Sequence, residues 1–215
     1  MTPPAVALQT RILEIAAVLL TAAGKFLFMD YLNWRLAFIL TAIAGWGLYV
    51  AVRQRQVPGI TAYWGFRTDN FNPALRLVLP FGISTVVVCT LLGLYRDTLN
   101  VTWHILPILL LYPLWGTVQQ FLLIALTAGN LHELPGLRPR TFIIVLASAL
   151  LFGAVHYPFA WLMLGTFVLA VFYGFVYLKE RNLYVLGIFH GWLGAVFFYT
   201  VVGRDPFMEV FGRLL

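Results

Sequence analysis

The chain has 215 residues, of which 61% are hydrophobic and only 10% charged. An ordinary soluble domain carries about a quarter charged residues, so this composition excludes a water-facing globule, a disordered chain and a coiled coil. The formal charge of +6 lies between apolar runs, where it reads as loop charge orienting a membrane protein rather than as a surface for nucleic acid, and the single cysteine, Cys89, excludes an intramolecular disulfide.

A bilayer core needs roughly 20 apolar residues per helix. Charge punctuation predicts spans over about 11–29, 34–52, 73–95, 103–129, 140–156, 158–178 and 183–202. The expected fold is therefore all-α, a polytopic transmembrane helix bundle of about seven (six to eight) spans. In the first span Glu14 and Lys25 sit near the ends and are expected to snorkel; it reads as a retained helix rather than a signal peptide. The connection from Arg53 to Asn72 carries Trp64, Phe66 and Phe71 and predicts an interfacial segment. The uncharged run holding Pro107 and Pro113 is open between a kinked helix and a re-entrant piece. From Thr141 to Leu178 there is no charge; this stretch divides at His156-Tyr157-Pro158, because the residue before a proline avoids the helical region. Alternating the spans puts nine of the 14 Lys and Arg on one side, Arg11, Arg53 and Arg138 among them, and leaves Lys25, Arg35, Arg96, Arg204 and Arg213 on the other. That bias predicts a cytoplasmic amino terminus. The organisation reads as N-terminal helices over 1–102, a core over 103–202 and a tail over 203–215.

Polar groups inside apolar runs are costly and therefore informative. Gln119 and Gln120 stand in the fourth span, His156 ends the fifth and His190 lies in the seventh. Adjacent residues on a helix point about 100° apart, so at least one glutamine faces other helices. The four residues either form separate interhelical hydrogen bonds or converge on one polar cavity. Phe152 precedes His156 by four residues and Gly194 follows His190 by four, so each shares a helix face with its histidine. His104, beside Trp103, and His132, in the loop through Pro135 and Gly136, read as surface residues.

Several chemistries are absent from the sequence. There is no Gly-x-Ser-x-Gly elbow, P-loop or His-Glu-x-x-His motif. Ser148 is two turns before His156, too far along the axis for a serine–histidine couple. No cofactor and no metal is expected, with zinc or haem left open by the histidine pair.

The order of these residues resembles the CPBP family, which groups type II CAAX prenyl endopeptidases with bacteriocin-processing membrane enzymes. The family pattern is Glu-Glu-x-x-x-Arg, then Phe-x-x-x-His, then His-x-x-x-Asn. Here the corresponding stretches are Gln119-Gln120 through Ile124, Phe152 through His156, and His190 through Gly194. Tyr173-Gly174-Phe175, Lys179 through Leu183 and Gly65-Phe66-Arg67 are similar to further family segments. The resemblance implies an intramembrane endopeptidase, with the water-activating base at Gln119, its partner at His156 and an oxyanion donor at His190. It assigns Gln120 to the same catalytic set, and Phe152 and Gly194 to substrate contact.

The departures bear on mechanism. A glutamine amide is no useful proton acceptor near neutral pH, Ile124 replaces the arginine and Gly194 the asparagine. The charged positions are all neutral together, so no buried charge is left without its partner. Two readings follow from different classes. One is an endopeptidase with an altered active site, in which His156 or His190 is the base. The other is a pseudoprotease that binds a membrane peptide or partner protein without cutting it. A small transporter and a haem protein are further alternatives. The expected surroundings are the lipid bilayer, a membrane peptide or protein, no nucleic acid, and the plasma membrane of a prokaryote.

Overall fold

A computed structural model describes residues 6–134, 140–212 and 214. Arg138, Pro135, Gly136 and Arg213 lie outside these residues. The elements are α1 (Leu8–Tyr31), α2 (Arg35–Gln56), the short α3 (Ile60–Trp64), α4 (Phe71–Tyr95), α5 (Ile105–Glu133), α6 (Thr141–Ala154), α7 (Ala160–Lys179), α8 (Leu183–Val202) and α9 (Pro206–Phe211). Among the described residues there are no strands, and six helices are long and apolar enough to cross a membrane. The chain is a polytopic helical bundle.

The span expected over 140–156 is the exception. Its helix has 14 residues, about 21 Å at the usual helical rise, short of the roughly 30 Å hydrocarbon layer. The run with Pro107 and Pro113 is one continuous helix rather than a re-entrant piece. Pro113 sits inside it, Thr117 Oγ1 donates to the Pro113 carbonyl at 2.7 Å, and the helix widens into π-type turns over Phe121–Gly129.

α8 is the most buried span and packs on α5 through small residues. A Cβ on Gly116 would lie 2.7 Å from the Gly187 carbonyl oxygen. One on Gly187 would collide with Thr117, and one on Gly191 with the backbone of Pro113. In a membrane, where lipid is as apolar as leucine, such close backbone approach is what drives helix association.

Two expectations are corrected at the amino-terminal helices. Glu14 does not snorkel: it is 4% exposed, accepting from Tyr49 Oη at 2.5 Å and from Asn130 Nδ2 at 2.5 Å. Arg11 donates to Asn130 Oδ1 at 2.9 Å, so two helix-borne charges share one amide. A buried carboxylate needs such donors, because lipid offers none.

The Arg53–Asn72 connection is not merely interfacial. Trp64 is 2% exposed, its ring 5.1 Å from that of Phe121, and its carbonyl accepts from Tyr177 Oη at 2.9 Å. Gly65 turns the chain out of α3 with φ +100°, a region that favours glycine. Its carbonyl accepts from the Leu183 amide at 2.8 Å, and Asn182 donates to the Arg67 carbonyl at 2.9 Å while capping α8 at Val185. The two family-like segments, Gly65–Arg67 and Lys179–Leu183, are thus tied to one another.

Candidate active site

The α5–α8 seam determines what its next turns carry. Because Gly187 and Gly191 let the helices touch, Gln120 Nε2 reaches His190 Nδ1 at 2.7 Å. Gln120 is wholly buried, and its Oε1 has no hydrogen-bond partner among the described residues. His156 follows the last turn of α6, with Nδ1 2.8 Å from the Phe152 carbonyl oxygen. The Phe152 ring lies 5.0 Å from the His156 ring and 5.5 Å from that of His190, between centroids. Both imidazoles therefore rest against one phenyl group.

A cavity of about 550 Å³ opens beside them. Gln119, His156, His190 and Gly194 line it, and its walls are apolar residues of α4, α7 and α8, such as Phe81, Val88, Leu162 and Phe197. Gln120 lies behind His190 rather than on the wall. Phe152 instead lines a smaller cavity of about 90 Å³, which shares Gln119, Trp115 and Val155 with the larger one. At Gly194 a Cβ would meet no heavy atom within 4 Å, whereas Ile124, at the family's arginine position, is fully buried in the core.

The mouth of the cavity is polar. Lys25, Asp30, Arg35, Arg204 and Glu209 line it. Glu209 on α9 pairs with Arg35 at 2.6 Å and with Arg204 at 2.5 Å, and Lys25 pairs with Asp30 at 2.7 Å. The Arg204 guanidinium lies over the Phe159 ring at 4.6 Å. Asp205 caps α9 through the Phe207 and Met208 amides and accepts from Thr102, from Tyr199 and, at 2.6 Å, from His104. Burial raises the Asp205 carboxyl, but hydrogen bonds from His104, Tyr199 and Thr102 outweigh it and hold the group below the usual carboxylate range.

His104 is consequently no free surface residue: its ring stacks on Phe207 at 4.6 Å. His132 is part-buried beside Glu133. Sequence reasoning missed the charged mouth. The available signal was the sorting of Lys25, Arg35 and Arg204 to one side of the bundle, which brings them to one rim.

Chemically, the site offers two imidazoles, a half-buried amide and an apolar chamber; none of Gln119, His156 and His190 is a carboxylate, and the cavity's carboxylates, Asp30 and Glu209, stand at its mouth. Among the described residues no three His, Cys, Asp or Glu side chains gather as a metal site would require.

A protein-family model described as type II CAAX prenyl endopeptidase Rce1-like matches residues 73–196, more than half of the chain. Comparison with curated proteins and with solved structures gave no match.

Proposed function

We propose that this chain, which belongs to the Rce1-like family of type II CAAX prenyl endopeptidases, takes an apolar stretch of a membrane-held peptide into its cavity and hydrolyses it with histidine in place of a carboxylate base. The chain is a CAAX-protease-like, multi-pass membrane protein. The observation that carries the finer reading is the cavity wall, where Gln119, His156, His190 and Gly194 face one chamber of about 550 Å³. That volume lies within the range of small-ligand pockets and suits a few residues of extended peptide rather than a folded partner. Gln119 can orient water or a carbonyl but cannot hold the proton that hydrolysis releases. An imidazole can, since its ordinary pKa lies near neutrality.

The nine-to-five bias of the cations supports a cytoplasmic amino terminus, and we read the membrane as the plasma membrane of a prokaryote. Residues 103–202 supply Gln119, His156, His190 and Gly194, and the match over 73–196 extends the family core to α4.

One observation favours a second reading, in which peptide is bound but not cut. Both positions where the family resemblance expects glutamate are amides. A comparative map of peptide termini in membranes carrying the wild type or the His156→Ala/His190→Ala double variant separates the two. New termini that vanish in the variant establish cleavage and reveal the substrate. Identical maps, with the variant folded and expressed, overturn the hydrolytic reading in favour of binding alone.

A further inference from the structure

The two cavity histidines make different bonds through the same ring atom. At His156, Nδ1 faces the Phe152 carbonyl oxygen at 2.8 Å. A carbonyl only accepts, so Nδ1 carries the hydrogen and Nε2 of the neutral ring keeps its lone pair. At His190, Nδ1 faces the Gln120 amide nitrogen at 2.7 Å. An amide NH2 only donates, so here Nδ1 keeps the lone pair and Nε2 carries the hydrogen. The Gln120 amide is placed with Nε2 toward the ring and Oε1 away from it. As it stands, one carbonyl oxygen, Gln120 Oε1, has no partner among the described residues. Nε2 of neither ring has a hydrogen-bond partner among the described residues, and both residues line the cavity.

We infer that Gln120 is a positioning residue that fixes His190 as a hydrogen-bond donor, while the Phe152 carbonyl fixes His156 as the base, so that the two imidazoles work as opposite tautomers with no carboxylate. This rests on the hydrolytic reading above and assigns its roles. Water attacks the scissile carbonyl carbon and gives one proton to His156 Nε2. The carbonyl oxygen takes the negative charge and accepts from His190 Nε2–H. As the tetrahedral centre collapses, the C–N bond breaks and the proton on His156 passes to the leaving nitrogen, giving a carboxylic acid and an amine. In this arrangement a glutamate at position 120 would be counterproductive. Its carboxylate would accept from Nδ1–H, turn His190 into the other tautomer and remove the donor from the cavity.

The test is the nitrogen NMR spectrum of protein labelled with 15N-histidine in lipid nanodiscs at neutral pH, with each ring assigned by its loss in His156→Gln and His190→Gln. The wild type is expected to show a protonated Nδ1 in His156 and a protonated Nε2 in His190. Gln120→Glu is expected to exchange the protonated and unprotonated nitrogens of His190 and leave His156 unchanged. The same tautomer in both wild-type rings, or a doubly protonated ring at either position, overturns the inference without any variant. An unchanged His190 pattern in folded Gln120→Glu overturns the role of Gln120. The spectrum is independent of cleavage: opposite tautomers with no cleavage would reject the hydrolytic reading alone, and cleavage with like tautomers would reject the role assignment alone.

Discussion

At position 194 a side chain would enter open space, since nothing lies within 4 Å of a Cβ built there. Gly194→Asn is therefore expected to fold with stability within about 0.5 kcal/mol of the wild type, measured by thermal unfolding in detergent. Its amide would join His190 at the cavity wall and raise formation of the wild-type neo-terminus by about 10²-fold, the lower end of what one oxyanion donor contributes. Position 14 is the opposite case. Glu14→Leu takes the shared acceptor from Tyr49 and Asn130 beside the buried Arg11, which costs about 1.5–3 kcal/mol. The double variant Arg11→Met/Glu14→Leu should recover part of that loss in the same assay, because no buried charge then remains beside Asn130. At this scale the sequence was legible where a polar residue interrupted an apolar run, as at Gln119, Gln120, His156 and His190. Asn130 was such an interruption too and went unread, because its partners Glu14 and Arg11 sit on α1, 116 and 119 residues away along the chain.

Helices, unlike their contacts, could be read from charge spacing: the expected 183–202 and 73–95 are α8 and α4 almost to the residue. Their closeness was not legible, since a glycine in an apolar run does not say which helix it touches. Gly191→Ala tests the most intimate of these contacts. The added methyl must displace α5 at Pro113, at a cost of about 1–3 kcal/mol. The displacement should also part Gln120 from His190, so His190 loses its single-tautomer nitrogen pattern in a variant that still carries every polar residue of the site. A variant with a wild-type His190 spectrum would show that the seam does not hold the pair.

Across the whole molecule, the polar rim and the carboxyl-terminal helix act together. Glu209 joins α9 to α2 through Arg35, and Asp205 joins it to the start of α5 through Thr102 and His104. The Asp205 carboxyl is held below its ordinary value, so its contribution is complete above a pH of about 4 and is lost as pH falls through the lower, folded value. Hydrogen exchange in residues 206–211, corrected for its intrinsic pH dependence, is expected to accelerate through that acid window. Asp205→Asn should exchange faster at neutral pH and show no such step. None of this rim was legible from local sequence, because Arg35 and Glu209 are 174 residues apart.

The shortness of α6 carries a consequence for the lipid around it. A helix of 14 residues, about 21 Å long, faces a hydrocarbon layer of roughly 30 Å. Bilayers relieve hydrophobic mismatch of this kind by local thinning, at fractions of a kcal/mol per ångström. Thinning on the side where α6 ends would bring the bilayer surface toward His156, two residues beyond the helix. Such thinning would shorten the path from bulk water to that imidazole. Longer acyl chains would deepen the mismatch and raise its cost, so on the hydrolytic reading host bilayer thickness would bear on water access to His156.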